Sequence, residues 1–169
     1  MNSRGAPEIA TRLEREIFTH IPLAAAMRVR VADHRPGRLV LTAPFDVNRN
    51  HEGTTFGGSI ECLATLAGWG LLWLMLANPE TTIMISHVET RFRAPFAGEL
   101  RATAAAPAVA DWDRFATLLA RRGRAGIDIA VSVGSKENSA CAEFRGRYGV
   151  MTKAARSSAE ASTPKRRTA

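Results

Sequence analysis

Residues Cys62 to Ala77 read CLATLAGWGLLWLMLA, a run of sixteen residues without a charged side chain. A membrane span needs roughly 20 consecutive apolar residues, and this run is shorter and lacks basic flanks. It lies between segments with strand-like alternation, so we predict a helix that is buried on nearly every side. Gly68 and Gly70 lower the helix propensity of the run, and we expect them to permit a close approach to its backbone.

Segments that alternate between apolar and polar residues flank this helix. Alternation at residues 28–31 and 39–43, around the turn signal His34-Arg35-Pro36-Gly37, predicts a β-hairpin. Residues 112–121 are ambiguous, and their position between strands favours a strand. Further strands are predicted at residues 88–92, 99–105, 127–133 and 140–150.

About six half-apolar strands are thus available to cover one apolar helix. An antiparallel sheet that curves around a central helix satisfies both requirements. One such sheet cannot enclose the helix completely, and its edge strands invite pairing with another chain. The sequence therefore predicts an α+β fold that assembles as a homodimer or as a dimer of dimers.

The two ends of the chain differ from this central part. Residues 1–19 hold a short amphipathic helix by prediction, with Ile9, Leu13 and Ile17 on one face. Residues 152–169 contain five basic side chains and one acidic one, and no apolar residue larger than alanine. Such a segment cannot bury surface, so we predict a disordered basic tail.

The composition excludes several classes of protein. The 169 residues are 46% hydrophobic and 23% charged, which is ordinary for a globular protein. Two separated cysteines and an N-terminus without an apolar segment predict a reduced, cytoplasmic protein without a signal peptide. Four scattered histidines give no metal site. The basic charge is concentrated in the tail, which disfavours nucleic-acid binding, and we expect no cofactor and no membrane association.

The loop before the apolar helix carries the most specific motif. Residues 48–59 read NRNHEGTTFGGS. This string resembles a family of hot-dog-fold thioesterases whose domain is often fused to an acetyltransferase. The resemblance spans about residues 20–151 and implies a stand-alone hot-dog domain that hydrolyses an acyl-CoA or acyl-carrier-protein thioester. Shorter similar strings lie at residues 21–23, 67–70, 92–95 and 122–124.

The resemblance also implies catalytic positions. Thioester hydrolysis needs a positioned water, donors to the oxyanion and a group that takes or steers a proton. Backbone amides at Gly57 and Gly58 would be the donors, although turn glycines alone indicate only a sharp loop. Asn50 lies six residues before the position at which related phenylacetate-pathway enzymes have a histidine. That position is Phe56 here, and Thr65, which can hold a water but cannot act as a base, replaces their aspartate.

Glu61 is the candidate for the missing base. It precedes Thr65 by one helical turn, so both side chains lie on one face. A structural reading remains open, because acidic residues are favoured in the first turn of any helix. His51 is a second candidate, although a loop histidine beside Asn50 and Glu52 is more often structural.

The remaining candidate residues would bind substrate. The resemblance implies that Ser86 and His87, at the start of the next strand, approach the thioester across the dimer. It also implies that the turn at Arg122, Gly123 and Arg124 faces the CoA phosphates, which suit guanidinium groups. An ordinary strand and a solvated basic turn are the alternatives. His51 and Phe56 complete the substrate-binding set, and the tryptophans of the helix are expected in the core or along an acyl pocket.

We therefore predict an acyl thioesterase in which water is activated near the N-terminus of the central helix. The alternative is a non-catalytic acyl-CoA-binding or scaffold protein of the same fold, which the missing aspartate and histidine favour. A hot-dog dehydratase is disfavoured, because the sequence lacks a convincing histidine and carboxylate at the required spacing. The sequence leaves open the acyl chain and the choice between CoA and carrier protein.

Overall fold

The computed structural model describes residues 5–135 and 140–162. An antiparallel six-stranded sheet, in the order β1-β2-β4-β5-β6-β3, curves around the central helix α3. The strands are β1 (Arg30–Arg35), β2 (Arg38–Ala43), β3 (Thr81–Phe92), β4 (Leu100–Ala105), β5 (Arg124–Gly134) and β6 (Ala142–Thr152). The helices are α1 (Gly5–His20), α2 (Pro22–Ala26), α3 (Gly57–Leu76), α4 (Val109–Arg122) and α5 (Lys153–Ser162).

The central helix α3 is enclosed as the sequence predicts. Every residue from Ser59 to Leu76 is buried or half-buried. By length and composition alone α3 could cross a membrane, but the core helix of a soluble protein passes the same test. The predicted close approach at both glycines is confirmed. A Cβ atom at Gly68 would overlap the Tyr148 hydroxyl, and one at Gly70 would lie 2.8 Å from Leu39 Cδ2.

Gly68→Ala should therefore destabilise the protein. Helix propensity alone would raise stability by about 1 kcal/mol, but Tyr148 is fully buried and donates a hydrogen bond of 2.9 Å to the Thr65 carbonyl. We expect overpacking to dominate and the free energy of unfolding in urea to fall by about 1–3 kcal/mol. Gly57→Ala is the control. Its Cβ atom would lie 3.5 Å from the Phe92 ring, which is an ordinary van der Waals contact, so no overpacking is expected there. A more stable Gly68→Ala variant would contradict this packing.

The strand predicted at residues 112–121 is wrong, because these residues belong to helix α4. Trp112, Phe115 and Leu119 follow helical spacing and pack against the core. Gly123, with φ of 64°, ends the helix as its C-cap residue. Position between strands was thus a weaker guide than the apolar spacing of the segment itself.

Both ends of the domain form helices. The predicted N-terminal helix is confirmed as α1, which buries Leu13 and Ile17. Lys153–Ser162, which lie within the segment predicted to be disordered, form α5. Alanine-rich sequence favours a helix, and the Lys153 amide donates to the Glu80 carbonyl at 2.8 Å. The rest of the predicted tail, residues 163–169, lies outside the described residues.

The β-hairpin predicted around residues 34–37 is confirmed. Strands β1 and β2 pair antiparallel, and Gly37 in the turn between them has φ of 75°. At the far side of the sheet, β3 pairs only with β6 among the described strands. This leaves β3 as a twelve-residue edge strand that runs alongside α3.

Candidate active site

The N-terminus of α3 presents two backbone donors. The first four N–H groups of a helix have no acceptor within it. The carbonyl of Phe56, the N-cap residue, accepts hydrogen bonds from the Ser59 and Ile60 amides at 3.0 and 3.1 Å. None of the described side chains caps this helix. The amides of Gly57 and Gly58 are therefore left for a ligand, with the positive end of the helix dipole behind them.

Two half-exposed phenylalanines flank this glycine pair. Phe56 is 55% exposed and Phe92, at the end of β3, is 54% exposed. A Cβ atom at Gly58 would overlap the Phe56 ring, and one at Gly57 would lie 3.5 Å from the Phe92 ring. Because residues 57 and 58 have no side chains, their backbone atoms are accessible between the two phenylalanine rings. The structure places Phe56, a predicted substrate-binding residue, directly at this surface.

Glu61 lies one turn further along α3. Because α3 begins at Gly57, Glu61 is in the second turn, so the alternative of a first-turn acidic residue does not apply. Its Oε2 atom accepts a hydrogen bond of 3.0 Å from Thr90 Oγ1 on β3, and both residues are half-buried. Sequence reasoning missed Thr90. The alternation of Val88, Thr90 and Phe92 was the signal that could have placed it on the face towards α3.

Thr65 follows Glu61 on the same side of α3. Gly57, Glu61 and Thr65 are spaced by four residues and form one ridge of the helix. The Thr65 carbonyl accepts a hydrogen bond from the Tyr148 hydroxyl. Burial raises the pKa of Tyr148, so this hydroxyl stays a neutral donor.

Burial also raises the pKa of Cys62, which lies beside Glu61. The Cys62 thiol is therefore protonated at neutral pH and unsuited to nucleophilic attack.

The chain also matches a known protein family. Residues 10–152 match the model of a family described as putative thioesterase (yiiD_Cterm). The chain belongs to this family. The family that the loop motif at residues 48–59 predicts, a thioesterase family, is thereby confirmed.

Solved structures similar to this yiiD_Cterm chain have the same fold. A protein of unknown function from Chlorobaculum tepidum TLS is 25% identical, with a TM-score of 0.80 over 89% of this chain and 99% of that chain. A protein from Shewanella oneidensis described as a putative thioesterase is 27% identical, with a TM-score of 0.76 over 86% and 99%. A thioesterase from Haemophilus influenzae, 16% identical with a TM-score of 0.65 over 80% and 87%, shows the fold alone. The predicted hot-dog fold is confirmed.

The Asn50 side chain makes its hydrogen bonds within the loop before α3, and it does not contact the ridge of Gly57, Glu61 and Thr65. Its Nδ2 atom donates to Thr54 Oγ1 at 2.9 Å, and its Oδ1 atom accepts from the Glu52 and Thr54 amides at 3.0 and 3.1 Å. These hydrogen bonds all stay within residues 50–54. The structure therefore connects Asn50 to the site only through the loop that leads to Phe56.

His51 lies at the exposed tip of the same loop. Its side chain is 88% exposed, and its Nε2 atom is 3.1 Å from Glu52 Oε1. Glu61, in contrast, is half-buried beneath β3. Within one protomer, the structure gives His51 a surface contact with Glu52 and no contact with the ridge.

A bulge in β3 separates Ser86 and His87 from the ridge. Ile85 pairs with Tyr148 on the side towards α3, and the register then shifts before His87. His87 pairs with Arg147, whose guanidinium contacts Asp128 on the outer face of the sheet. Ser86 donates to the Arg147 carbonyl at 3.1 Å. The structure therefore places His87 on the outer face and does not bring it to the helix N-terminus.

The turn at Arg122, Gly123 and Arg124 lies at the other end of the sheet. Arg124 pairs with Met151, whereas Phe92, which approaches Gly57, pairs with Ala142. The intervening length of β6 is about 30 Å at the usual rise per residue. One protomer cannot bring this turn to its own α3 N-terminus.

Proposed function

We propose that this chain hydrolyses acyl thioesters of CoA or of an acyl-carrier protein at the N-terminus of α3. One observation carries the proposal: the half-buried Glu61 carboxylate, held by Thr90, lies one helical turn from the amides of Gly57 and Gly58. A base and a pair of oxyanion donors are the two elements that hydrolysis of a thioester requires. Membership of a thioesterase family supports the same reaction.

The reaction follows from this arrangement. The thioester carbonyl oxygen accepts hydrogen bonds from the Gly57 and Gly58 amides, and a water lies between its carbon and Glu61. Glu61 takes a proton as the water attacks, and the amides stabilise the resulting oxyanion. When the intermediate collapses, the C–S bond breaks and its electron pair goes to sulfur. Glu61 then returns the proton to the thiolate, and the acid and the free thiol leave.

A homodimer through β3 completes the proposed site. Edge strands with exposed apolar residues favour pairing with another chain, and β3 exposes Met84, Ile85, Val88 and Phe92. Antiparallel pairing of two β3 strands would place the Thr81 end of one protomer beside the Phe92 end of the other. The turn at Arg122, Gly123 and Arg124 belongs to the Thr81 end. This arrangement supports its proposed role towards the CoA phosphates of the neighbouring site.

The dimer gives a direct prediction. Val88→Asp places a charge on the exposed β3 edge and should convert a dimer, at twice the 18.3 kDa of the chain, into monomer. Sedimentation at micromolar concentration measures this change. Val109→Asp on α4, where the side chain is 77% exposed, is the matched control. A wild-type chain that sediments as a monomer would reject the dimer.

Thr90 should act as a positioning residue for Glu61. Thr90→Val keeps the side-chain shape but removes the donor, and hydrogen bonds to charged groups contribute about 1.5–3 kcal/mol. We expect kcat to fall roughly 10- to 100-fold with a shifted pH profile and little change in KM. Thr90→Ser should restore most of the rate, and Thr103→Val on β4 should leave it unchanged. Equal rates and pH profiles for Thr90→Val and wild type would remove Thr90 from the account.

The proposed thioesterase activity is tested by measuring thiol release from the same acyl groups on two different carriers. Acyl groups of increasing length are presented on CoA and on an acyl-carrier protein, and the free thiol is measured with purified wild-type chain. Release well above the uncatalysed rate supports the proposal, and the better carrier identifies the natural thioester. Saturable binding without release would instead favour the alternative of a non-catalytic acyl-CoA-binding protein.

A further inference from the structure

A large cavity lies beside the C-terminal half of α3, away from Gly57. It is an open groove of about 770 Å³ between α1, α3 and the first residues of β3. Trp69 and Trp73 of α3 line it, with ring centroids 6.4 Å apart in a stacked arrangement. Ile9 of α1 and Ile83 of β3 add apolar surface on either side. The groove and the Glu61 carboxylate are therefore at different levels of one helix.

One ridge of α3 connects the two places. Gly57, Glu61, Thr65, Trp69 and Trp73 are spaced by four residues, as in the ridges of a packed helix. Each of these residues is half-buried, although the residues around them on α3 are mostly buried. The distance from Glu61 to Trp73 along the helix axis is about 18 Å.

Apolar residues of β3 follow the same path. Phe92 lies at the level of Gly57, and Ile85 pairs with Tyr148, which reaches Thr65. Val88, between them, is 36% exposed and Ile85 is 39% exposed. Ile83 continues this row into the groove. These side chains of β3 therefore lie alongside α3 between the level of the glycine pair and the level of the two tryptophans.

We propose that this groove binds the distal part of a long aliphatic acyl chain whose thioester lies at Gly57 and Gly58. The inference rests on the proposed function, because the thioester fixes where the chain begins. From that point the apolar side chains of β3 lead along α3 towards the groove, and a short acyl group cannot reach Trp69. Each methylene group buried there should raise affinity about fourfold.

Helix α1 is the outer wall of this site. Leu13 and Ile17 are fully buried and attach α1 to the core. Ile9 and Arg12 of α1 line the groove. The Arg12 guanidinium lies 5.1 Å from the centre of a Trp73 ring. Polar and charged side chains then border the far end, so the apolar surface stops there. Those bordering residues are Arg12, Glu16, His20, Asn78 and Arg156.

Ile9→Trp tests the groove without touching the catalytic end. Ile9 is 39% exposed, so the larger ring can be accommodated on a helix that Leu13 and Ile17 still hold. We expect kcat/KM for a sixteen-carbon acyl-CoA to fall at least tenfold, and that for a four-carbon acyl-CoA to stay within twofold of wild type. Val109→Trp, on an exposed position of α4, is the control and should change neither value. Equal chain-length profiles for Ile9→Trp and wild type would overturn the proposal.

Binding of non-hydrolysable thioethers separates this inference from the proposed function. Calorimetry should show S-hexadecyl-CoA binding the wild-type chain much more tightly than S-butyl-CoA, with the difference lost in Ile9→Trp. Such binding without hydrolysis of any thioester would support the groove and reject the thioesterase. Hydrolysis with no chain-length preference in either assay would retain the thioesterase and reject the groove. A change of oligomeric state in Ile9→Trp would assign the groove to a second copy of the chain and also reject the proposal.

Discussion

Glu61→Gln is expected to lower turnover of an acyl thioester by roughly 10²–10⁴-fold, the usual contribution of a general base. Glutamine keeps the size of the side chain and an oxygen that can accept the Thr90 hydrogen bond. It removes only the ability to take a proton from water. The variant should therefore remain folded and bind substrate while its turnover falls.

Glu89 on β3 provides a control that shows whether the loss of turnover is specific to the Glu61 carboxylate. Glu89 precedes Thr90 and lies on the opposite face of the strand, so Glu89→Gln changes the same charge without touching the ridge. Its turnover should equal that of wild type. Full activity in Glu61→Gln would show that this carboxylate is not the base. The search would then move to His51, or to Ser86 and His87 of a partner protomer.

Gly58→Val is expected to lower turnover by roughly 10²–10³-fold, the cost of losing an oxyanion donor. A Cβ atom at Gly58 would overlap the ring of Phe56, so the added side chain must displace this ring or cover the amides. Gly58 has no positive φ, and the residue is exposed. Backbone strain is therefore absent, and folding should suffer much less than activity.

A second variant separates the two ways in which Gly58→Val can act. Phe56→Ala removes the displaced ring, and the double variant Phe56→Ala/Gly58→Val keeps only the obstruction of the amides. We expect the double variant to be as slow as Gly58→Val, whereas Phe56→Ala alone should mainly raise KM. Recovery of turnover in the double variant would assign the loss to the ring. Unchanged turnover in a folded Gly58→Val chain would contradict the oxyanion assignment.

The fold could be predicted where one segment carried a dominant signal. The uncharged run from Cys62 to Ala77 fixed the buried helix, and the paired glycines at 68 and 70 fit the packing of Tyr148 and Leu39. Helix α4 was missed although Trp112, Phe115 and Leu119 follow helical spacing. The position of the segment between strands was given more weight than this spacing, and it misled.

Only the part of the candidate site that lies on helix α3 could be predicted from the sequence. Gly57, Glu61 and Thr65 share a helix, so helical spacing sufficed to bring them together. Thr90 comes from β3, and its contact with Glu61 depends on how that strand lies over the helix. The bulge after Ile85 could not be read from the sequence, but the alternation of Val88, Thr90 and Phe92 already places His87 on the face away from α3.

Thiol release from a long-chain acyl-CoA, measured for wild type and Glu61→Gln in parallel, tests the central claim most directly. We predict that the wild-type chain releases free CoA far above the uncatalysed rate. The Glu61→Gln chain should be slower by roughly 10²–10⁴-fold. Background rates for both folded proteins, or equal rates for the two, would contradict hydrolysis by Glu61 at the N-terminus of α3.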